Sequence, residues 1–395
     1  MLKQPLTAMW ISEFPVEWLP DLPEPLRTLP RRSPGTWQIA LLSEFEKCPG
    51  LRLHVVVLRK RLAHDFSFTR NGVVFHLLKV PSVLRPLSLF WLDTFRIRRI
   101  CRQIRPDVIH AWGSERGAAL IAMRLGYPAV ATVQGLLSWY REVVPLALYE
   151  RLMERLERLS LARSRVVSAE SIFTVDYIRS HFRSAHVEHV EHVPNWLFHR
   201  VLRRPQTDPI HFLSLATLGY RKGTDLLLRA LDRLSGELEF KLTIICGQNR
   251  DYLETLRPEL SAGIWRRIEF KSGLDPGQVA DAMTTPTILL LPARADTGPM
   301  AVKEAAVAGM PVVASRIGGT PDYIVPGKNG DLFPSGNLEA FLHSIQAACR
   351  HPLFSKGCVD SDTLARTRAY LSPERMAQRF LEVYDFALNT TPVDH

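Results

Sequence analysis

The chain has 395 residues, more than one hydrophobic core usually supports, so we expect two domains. Apolar residues make up 46% of it and charged residues 23%, a composition that excludes an intrinsically disordered protein. No run approaches the roughly 18 consecutive apolar residues of a spanning helix, and the N-terminus lacks a signal-peptide pattern, so we expect a cytoplasmic protein. The five cysteines include no Cys-x-x-Cys pair, which argues against a disulfide framework or a zinc knuckle.

The positive charge is concentrated in the first half of the sequence. Residues 1–200 contain 28 Lys and Arg against 18 Asp and Glu, whereas residues 201–395 contain 22 of each. A one-sided positive field favours an anionic partner for the first half, such as a lipid surface, nucleic acid or a charged substrate. The alternative is an Arg-rich composition without a specific partner.

Short apolar runs alternate with longer segments of helical period. The runs predict buried strands at residues 53–58, 107–112, 129–133, 241–246 and 287–292. Short, wholly apolar strands separated by helices are typical of parallel sheets covered on both faces, which predicts a doubly wound α/β fold.

The alternation runs twice and predicts the domain boundaries. Residues 200–209 are polar, basic and contain two prolines, as an interdomain linker often does, and a second series starts with HFLSLAT at residue 211. Ser-Pro-Glu at 372–374 starts a terminal amphipathic helix. We therefore expect two Rossmann-like domains at residues 1–200 and 201–372, with residues 373–395 packing back on the first.

One segment of the first half is both apolar and basic. Residues 82–105 contain six arginines, and from Leu87 onward Phe90, Trp91, Phe95 and the later isoleucines are expected on one helical face. Such a helix can lie on an anionic membrane. The alternative is that it packs on the first sheet and its arginines are solvated.

Residues 186–194, HVEHVEHVP, have the composition of a metal site. On a strand, however, His186, Glu188 and His192 face one side and His189 and Glu191 the other. We therefore expect an ordinary strand and no metal there.

The second half contains a basic pair between a strand and a helix. LATLGYRKGTDLLLRAL places Arg221, Lys222 and Gly223 in this loop, at the carboxyl edge of a parallel sheet where phosphate groups tend to bind. An exposed basic loop without a ligand is the alternative.

Residues 296–315, DTGPMAVKEAAVAGMPVVAS, place two carboxylates around a helix start. Gly298 and Pro299 open the helix, whose N–H groups and positive dipole end would face the same site as Lys222. Glu304 would lie about six residues inside it, or roughly 9 Å along the axis. This spacing suits a diphosphate at the helix start, a ribose held by Glu304 and a sugar facing Asp296.

This run resembles the signature of glycosyltransferase family 4, retaining enzymes with the GT-B fold. The family pattern is Glu-x7-Glu followed by Ala-x-x-x-Gly-x-Pro-Val-Val-Ala, and here it stands as Asp-x7-Glu with EAAVAGMPVVASRIGGTPDYIVPGKNGDLF. RKGTDLLLRA resembles the family's Lys-Gly helix start. Four further segments resemble the N-terminal landmarks of the family, namely IRPDVIHAWG, YPAVATVQG, SAESIF and HVPN. The match therefore covers about residues 100–345.

The resemblance implies roles for the residues of the second half. Glu304 would hold the nucleotide ribose, Asp296 would contact the donor sugar, and Lys222 with Arg221 would neutralise the diphosphate. Gly223 and Gly298 would shape this site. The main-chain N–H groups of Met300 and Ala301 would bind phosphate.

In the first half, the resemblance implies that Gly35 lies where the family often has a glycine pair. Gln134 takes the place of a histidine that many members use beside the donor sugar. His110 would lie near the substrates as a catalytic residue, with a structural, hydrogen-bonded histidine as the alternative.

Other departures from the family pattern lie in the second half of the chain. They are the shorter Asp296 side chain and Pro299 in place of glycine.

The expected function is retaining transfer of a sugar from a nucleotide-diphosphate sugar to a hydroxyl, in surface polysaccharide, lipopolysaccharide or glycolipid synthesis. The domains would face a cleft, bind donor in the second and a saccharide or lipid-linked acceptor in the first, and need no metal or other cofactor. The basic first half suggests a peripheral position on an anionic membrane, while nucleic acid is not an expected partner. The alternatives are a nucleotide-sugar epimerase of this fold and a basic docking protein for membrane or nucleic acid.

Overall fold

The computed structural model describes residues 4–27, 29, 35–81, 85, 88–182, 186–247 and 250–390. They form two units, which divide the chain at Glu191/His192 and again at Ser372/Pro373. The N-terminal unit contains the described residues up to Glu191 and the terminal helix; the C-terminal unit spans His192–Ser372. The expected boundary at residue 200 is therefore too late, because the Trp196–His199 helix packs on helices of the C-terminal unit.

The N-terminal unit is built on an eight-stranded sheet with strand order β3-β4-β2-β1-β5-β6-β7-β8. Its strands are β1 Leu6–Ser12, β2 Leu51–Arg59, β3 Phe66–Arg70, β4 Val73–Lys79, β5 Val108–Trp112, β6 Ala129–Val133, β7 Val166–Ala169 and β8 His186–His189. All pairs are parallel except β3 with β4. The antiparallel edge hairpin was not predicted, since three of the five residues of β3 are polar or charged.

The helices of this unit cover the parallel sheet. They are Glu24–Arg27, Thr36–Phe45, Trp91–Ile104, Ala118–Met123, Leu137–Val143, Leu148–Arg163, Ile172–His181 and the terminal helix Pro373–Thr390, with a 3-10 turn at Val16–Trp18. The central strands β1, β5, β6 and β7 are almost wholly buried, as their largely apolar composition requires.

The terminal helix is tied to the sheet of the N-terminal unit by a buried hydroxyl. Tyr384 Oη accepts a hydrogen bond from Trp10 Nε1 at 2.9 Å and lies 2.6 Å from His110 Nδ1. Phe380 on the same helix packs against the ring of Trp112, 5.3 Å between centroids. Strand β1, strand β5 and the terminal helix therefore share one core.

The C-terminal unit has a six-stranded, wholly parallel sheet with strand order β11-β10-β9-β12-β13-β14. The strands are β9 Ile210–Leu215, β10 Phe240–Ile245, β11 Ile268–Lys271, β12 Ile288–Leu291, β13 Val312–Arg316 and β14 Gly330–Pro334. Strands β9, β12 and β13 are neighbours, so the loops that follow them meet at one edge. This edge carries the candidate site.

Helices cover both faces of the second sheet. They are Trp196–His199, Thr224–Leu234, Asp251–Leu256, Ala262–Arg266, Pro276–Ala282, Met300–Ala308, Leu338–Arg350 and Ser361–Tyr370, with 3-10 turns at Tyr220–Lys222, Arg257–Glu259, Thr320–Tyr323 and Phe354–Lys356. Phe212, Leu228 and Phe341 lie in the core between sheet and helices without exposed surface.

The five predicted strands are confirmed to within two residues at each end. The terminal helix is confirmed from Pro373 to Thr390, and the last five residues of its predicted range lie outside the described residues. The helix predicted within residues 82–105 differs from the one observed. Residues 82–84 and 86–87 lie outside the described residues, and the helix begins at Trp91 after Phe90 in the left-handed conformation. Phe90 and Ile97 are buried while Trp91 and Phe95 are exposed, so the apolar residues occupy two faces and not the single face expected. No helix in the described part of the chain is long and apolar enough to cross a membrane.

Candidate functional site

The loop after β9 makes a tight turn that only glycine allows. Tyr220–Lys222 form a 3-10 turn, and Gly223 follows it with φ +70° as the residue before the Thr224–Leu234 helix. A Cβ atom at Gly223 would lie 1.8 Å from the carbonyl oxygen of Pro292. The turn therefore packs directly against the chain that leaves β12.

Backbone and side-chain hydrogen bonds join this turn to the loop after β12. The carbonyl of Arg221 accepts from the N–H of Arg294 at 2.8 Å, and the guanidinium of Arg221 donates to the carbonyl of Ala295 at 3.0 Å. The ammonium of Lys222 forms an ion pair and hydrogen bond with the carboxylate of Asp296. Lys222 and Asp296, 74 residues apart in sequence, are thus brought together.

A second ion pair reinforces this junction. Arg294 donates two hydrogen bonds of 2.7 Å to the carboxylate oxygens of Asp225 and stacks 3.9 Å from the ring centroid of Tyr220. Burial raises the pKa of Asp225, but the hydrogen bonds and charge of Arg294 outweigh it and leave this pKa below its ordinary value. Both loops are held by contacts independent of Lys222.

The helix with the second carboxylate begins immediately after the β12 loop. It spans Met300–Ala308, and its N-cap residue Pro299 has no side chain to cap it. The first N–H groups of an α-helix have no partner within the helix, and the carbonyl of Pro299 accepts from the N–H groups of Val302 and Lys303. The N–H groups of Met300 and Ala301 therefore form the positive end of the helix dipole.

Glu304 lies one turn into this helix and is 5% exposed. Because the helix begins at Met300, the two residues are about 6 Å apart along the axis, less than the 9 Å expected. Gly298 is buried in the preceding loop, and the N–H of Gly319, in the loop after β13, donates to the carbonyl of Asp296 at 3.3 Å. Three adjacent strand ends thus contribute to one site.

The predicted C-terminal residues therefore come together as a set. Cationic side chains of the β9 loop and the carboxylate of Asp296 lie on loops fixed by backbone hydrogen bonds, and Glu304 lies in the helix that follows, within the same unit. Such an arrangement can bind an anion and stabilise charge that develops on it, since helix N-termini and fixed cations both favour negative charge.

The predicted N-terminal residues lie in the other unit. Gln134 is half-buried directly after β6, and its Oε1 would be 3.4 Å from a Cβ at Gly113. Gly35 is the N-cap residue of the Thr36–Phe45 helix with φ −73°, a conformation open to any residue. The resemblance to a glycine pair at this position has no conformational basis here.

His110 is a core residue. It has no exposed surface, its Nδ1 faces Tyr384 Oη and its Nε2 lies 2.5 Å from Thr132 Oγ1. Its ring stacks on Trp112 with centroids 4.2 Å apart. Both ring nitrogens are engaged by buried hydroxyls, which supports the structural alternative for His110 and not the catalytic one.

Two histidines of the histidine-rich stretch lie close to glutamates of the same stretch. His186 Nε2 lies 2.7 Å from Glu188 and His189 Nε2 lies 3.0 Å from Glu191, while strand β8 ends at His189, before His192. Among the residues that the structure describes, no group of three or more His, Cys, Asp or Glu could hold a metal ion.

The sequence interpretation missed two kinds of residue. Arg294 and Asp225 stabilise the site loops but belong to no motif. Lys303, next to Glu304, has no exposed surface, and its only sequence signal is a charged residue in a helix of small and apolar ones.

A buried carboxylate in the N-terminal unit was also missed. Glu157 accepts hydrogen bonds from the N–H groups of Ser138 at 2.9 Å and Leu137 at 3.1 Å. Burial, only partly offset by these bonds, raises its pKa to about 7.

Two helices of the N-terminal unit, with Leu89 and Arg124 near them, carry apolar and basic side chains that are exposed or half-buried. We call this set the basic face; its residues are Leu89, Trp91, Leu92, Phe95, Arg99, Arg102, Arg124, Leu148, Tyr149, Arg151, Leu152, Arg155 and Arg163. The Trp91–Ile104 and Leu148–Arg163 helices both pack on the Ala118–Met123 helix. Arg124 lies 4.3 Å over the ring of Trp91, and burial together with the charge of Arg163 lowers the pKa of Arg124.

Two family models match the chain. "Glycosyltransferase Family 4" matches residues 39–197 and "Glycosyl transferases group 1" matches residues 196–359. Together they span residues 39–359, which includes most of both units.

Individual proteins agree with these matches. A glycogen synthase of Mycobacterium tuberculosis is 25% identical over 86% of this chain and 78% of its own length. A GDP-mannose-dependent alpha-mannosyltransferase of the same species is 28% identical over 73% of this chain and 78% of its own length. The sucrose-phosphate synthase structure from Thermosynechococcus elongatus superposes with a TM-score of 0.79 at 15% identity, covering 97% of this chain and 99% of that one.

Proposed function

The chain belongs to the family 4 type of GT-B glycosyltransferases and uses a nucleotide sugar, and we propose that it transfers the sugar to a hydroxyl acceptor with retention of anomeric configuration. The observation that carries the proposal is the junction of Lys222 and Asp296 at the N-terminus of the helix that bears Glu304. A leaving diphosphate, a donor sugar and a ribose would each meet a group of suitable charge there.

In this reaction the site would stabilise the leaving diphosphate. Lys222, Arg221 and the N–H groups of Met300 and Ala301 would bind the diphosphate, and their fixed positive charge would favour its departure without a metal ion. Glu304 would accept hydrogen bonds from the ribose hydroxyls. Asp296 would accept them from the donor sugar once the diphosphate competes for Lys222.

The stereochemical proposal can be tested without knowing the acceptor. Many transferases hydrolyse their donor slowly, and proton NMR of the first released sugar gives its anomeric configuration. With UDP-glucose, UDP-galactose and GDP-mannose as probes, we expect an initial α-anomer from whichever α-linked donor is bound. An initial β-anomer would contradict retention, and a new epimer of the intact nucleotide sugar would favour the epimerase.

We further propose that the N-terminal unit binds a saccharide or lipid-linked acceptor of surface glycan or glycolipid synthesis and docks on an anionic membrane through the basic face. Phe95 is 59% and Leu148 83% exposed, with arginines on both helices. Apolar side chains can enter the lipid interface while arginines bind phosphate headgroups, a combination typical of interfacial helices.

The membrane proposal predicts salt-sensitive binding to lipid. The protein should sediment with vesicles of phosphatidylcholine mixed with phosphatidylglycerol at low salt, but not with phosphatidylcholine alone. Phe95→Ser with Leu148→Ser should abolish this binding, whereas Val325→Ser, at an exposed apolar residue of the C-terminal unit, should not. Equal binding by all three proteins would contradict the proposal.

A further inference from the structure

Lys303 is the only lysine among the described residues whose side chain is completely buried. Its Nζ donates a hydrogen bond of 2.9 Å to the carbonyl oxygen of His192 and lies 4.7 Å from the ring centroid of Tyr323. Burying an ammonium group costs several kcal/mol unless it is well paired, so its position is strongly constrained.

The partner of Lys303 lies where the chain enters the C-terminal unit. His192 is the first residue of that unit, and we call residues 192–199 the entry segment. The Trp196–His199 helix at the end of this segment packs on the Met300–Ala308 helix. The helix of the candidate donor site therefore contacts the entry segment through both Lys303 and apolar packing.

The chain leaves the same unit beside the other end of this helix. Arg368, on the Ser361–Tyr370 helix, donates through Nε to the carbonyl of Val307 at 2.8 Å. A Cβ at Gly309 would lie 3.2 Å from the side chain of Leu364, which shows how closely the two helices approach. The chain passes to the terminal helix directly afterwards, at Ser372/Pro373.

The Ser361–Tyr370 helix also acts electrostatically on the entry segment. His199, in the entry segment, is buried, and burial together with the charge of Arg368 lowers its pKa to about 4. The Met300–Ala308 helix is thus a common neighbour of both segments that connect the units. A ligand at its N-terminus would act on an element to which both are attached.

From this geometry we infer that Lys303 is a positioning residue that couples occupancy of the donor site to the entry segment. The inference rests on the proposed function only in taking the N-terminus of the Met300–Ala308 helix as the diphosphate site. When a nucleotide fixes this helix, the bond from Lys303 to His192 transmits the restraint to residues 192–199. A methionine in its place would fill similar volume but could not make that bond.

The test is amide hydrogen exchange combined with nucleotide titration. UDP, GDP and ADP are first titrated into the wild type, Lys303→Met and Lys303→Arg, with Lys241→Met, at a half-exposed lysine of the same unit, as matched control. The nucleotide that binds is then used at saturation. In the wild type we expect exchange at residues 192–199 to slow by about fivefold or more, a typical effect of allosteric coupling.

The variants separate coupling from binding. Lys303→Met should bind the nucleotide as the wild type does and protect residues 300–308, yet lose the protection of residues 192–199. Lys303→Arg should retain part of it, and Lys241→Met all of it. Turnover by Lys303→Met should fall through kcat with little change in donor KM.

Each failure has a distinct meaning. If none of the nucleotides binds the wild type, the proposed function itself is wrong. If a nucleotide binds but the wild type shows no protection at residues 192–199, or Lys303→Met shows the same protection, the inference is overturned while the proposed function stands. If Lys303→Met does not fold, absence of protection in the wild type still overturns the inference, and Lys303→Arg against Lys241→Met tests the part played by Lys303.

Discussion

The ammonium of Lys222 is paired with the carboxylate of Asp296, which joins the loops after β9 and β12 at the carboxyl edge of the second sheet. The pair lies at the start of the Met300–Ala308 helix, whose dipole adds to the positive charge of Lys222. In this pair the charge of each side chain is balanced by the other. A bound diphosphate would compete with Asp296 for the ammonium, which leads to opposite expectations for variants of the two residues.

Removal of the Lys222 charge should weaken nucleotide binding. A charged hydrogen bond contributes about 1.5–3 kcal/mol, so Lys222→Met should lower nucleoside diphosphate affinity by about 10- to 100-fold in a calorimetric titration. Lys241→Met provides the control, since this lysine lies in strand β10 and pairs with Glu269 outside the site. Equal losses in both variants would argue against a specific role for Lys222.

Neutralising Asp296 should act on catalysis and not on nucleotide affinity. Asp296→Asn frees Lys222 from its ion pair, so the nucleoside diphosphate should bind as tightly as before or more tightly. Donor turnover should nevertheless fall by about 100-fold or more, the usual cost of losing one well-placed polar group at a reacting centre. A drop in diphosphate affinity as large as that of Lys222→Met would contradict the separate roles.

The turn at Gly223 should tolerate no side chain. In Gly223→Ala the left-handed conformation and the overlap with the Pro292 carbonyl should destabilise the C-terminal unit by about 2–4 kcal/mol and displace Lys222. Urea unfolding and nucleotide titration would report the two effects. Gly236→Ala is the matched control, because nothing lies within 4 Å of its Cβ position. Comparable behaviour of the two variants would show that the turn adapts.

Much of the C-terminal unit was predictable, because its strands are continuous apolar runs and its site residues follow them in fixed order. Gly223 and Glu304 could be found in this way, since each belongs to a local pattern at a strand-to-helix junction. Lys303 could not be assigned, because its partner His192 is distant in sequence and burial of a lysine has no local signature. The antiparallel strand Phe66–Arg70 was missed for a related reason: an edge strand needs less apolar character.

His110 shows the limit of position-based inference. The sequence places His110 at the end of a buried strand, where catalytic groups are common, but the residue lies at the centre of β5. Its environment depends on Tyr384 in a helix 274 residues later. No local pattern could indicate that both ring nitrogens are engaged in the core. Residues 192–199 are a second example, since they belong to the C-terminal unit through contacts with the Met300–Ala308 helix, which is also distant in sequence.

Glu157 should make the N-terminal unit less stable as pH rises. Its pKa is about 7 in the folded protein against an ordinary 4.5, so between these values the native state keeps a proton that the unfolded state has lost. The free energy of unfolding should therefore fall with pH across this window, by about 3 kcal/mol for this group at about 1.36 kcal/mol per pKa unit.

Urea unfolding at pH 4.5, 6 and 8 tests the assignment to Glu157. Glu157→Gln should remove that part of the pH dependence, whereas Glu254→Gln, at an exposed carboxylate, should leave it intact. An unchanged pH profile in Glu157→Gln would mean that another group is responsible.

The central claim is that the Met300–Ala308 helix, with Lys222 and Glu304, binds the nucleotide part of a sugar donor. The most direct test is calorimetric titration of UDP, GDP and ADP into the wild type and Glu304→Ala. We predict that one nucleotide binds the wild type and loses about 10- to 100-fold in affinity in the variant, because the ribose loses a charged hydrogen-bond acceptor. Binding of none of the three, or equal affinity in both proteins, would contradict the claim.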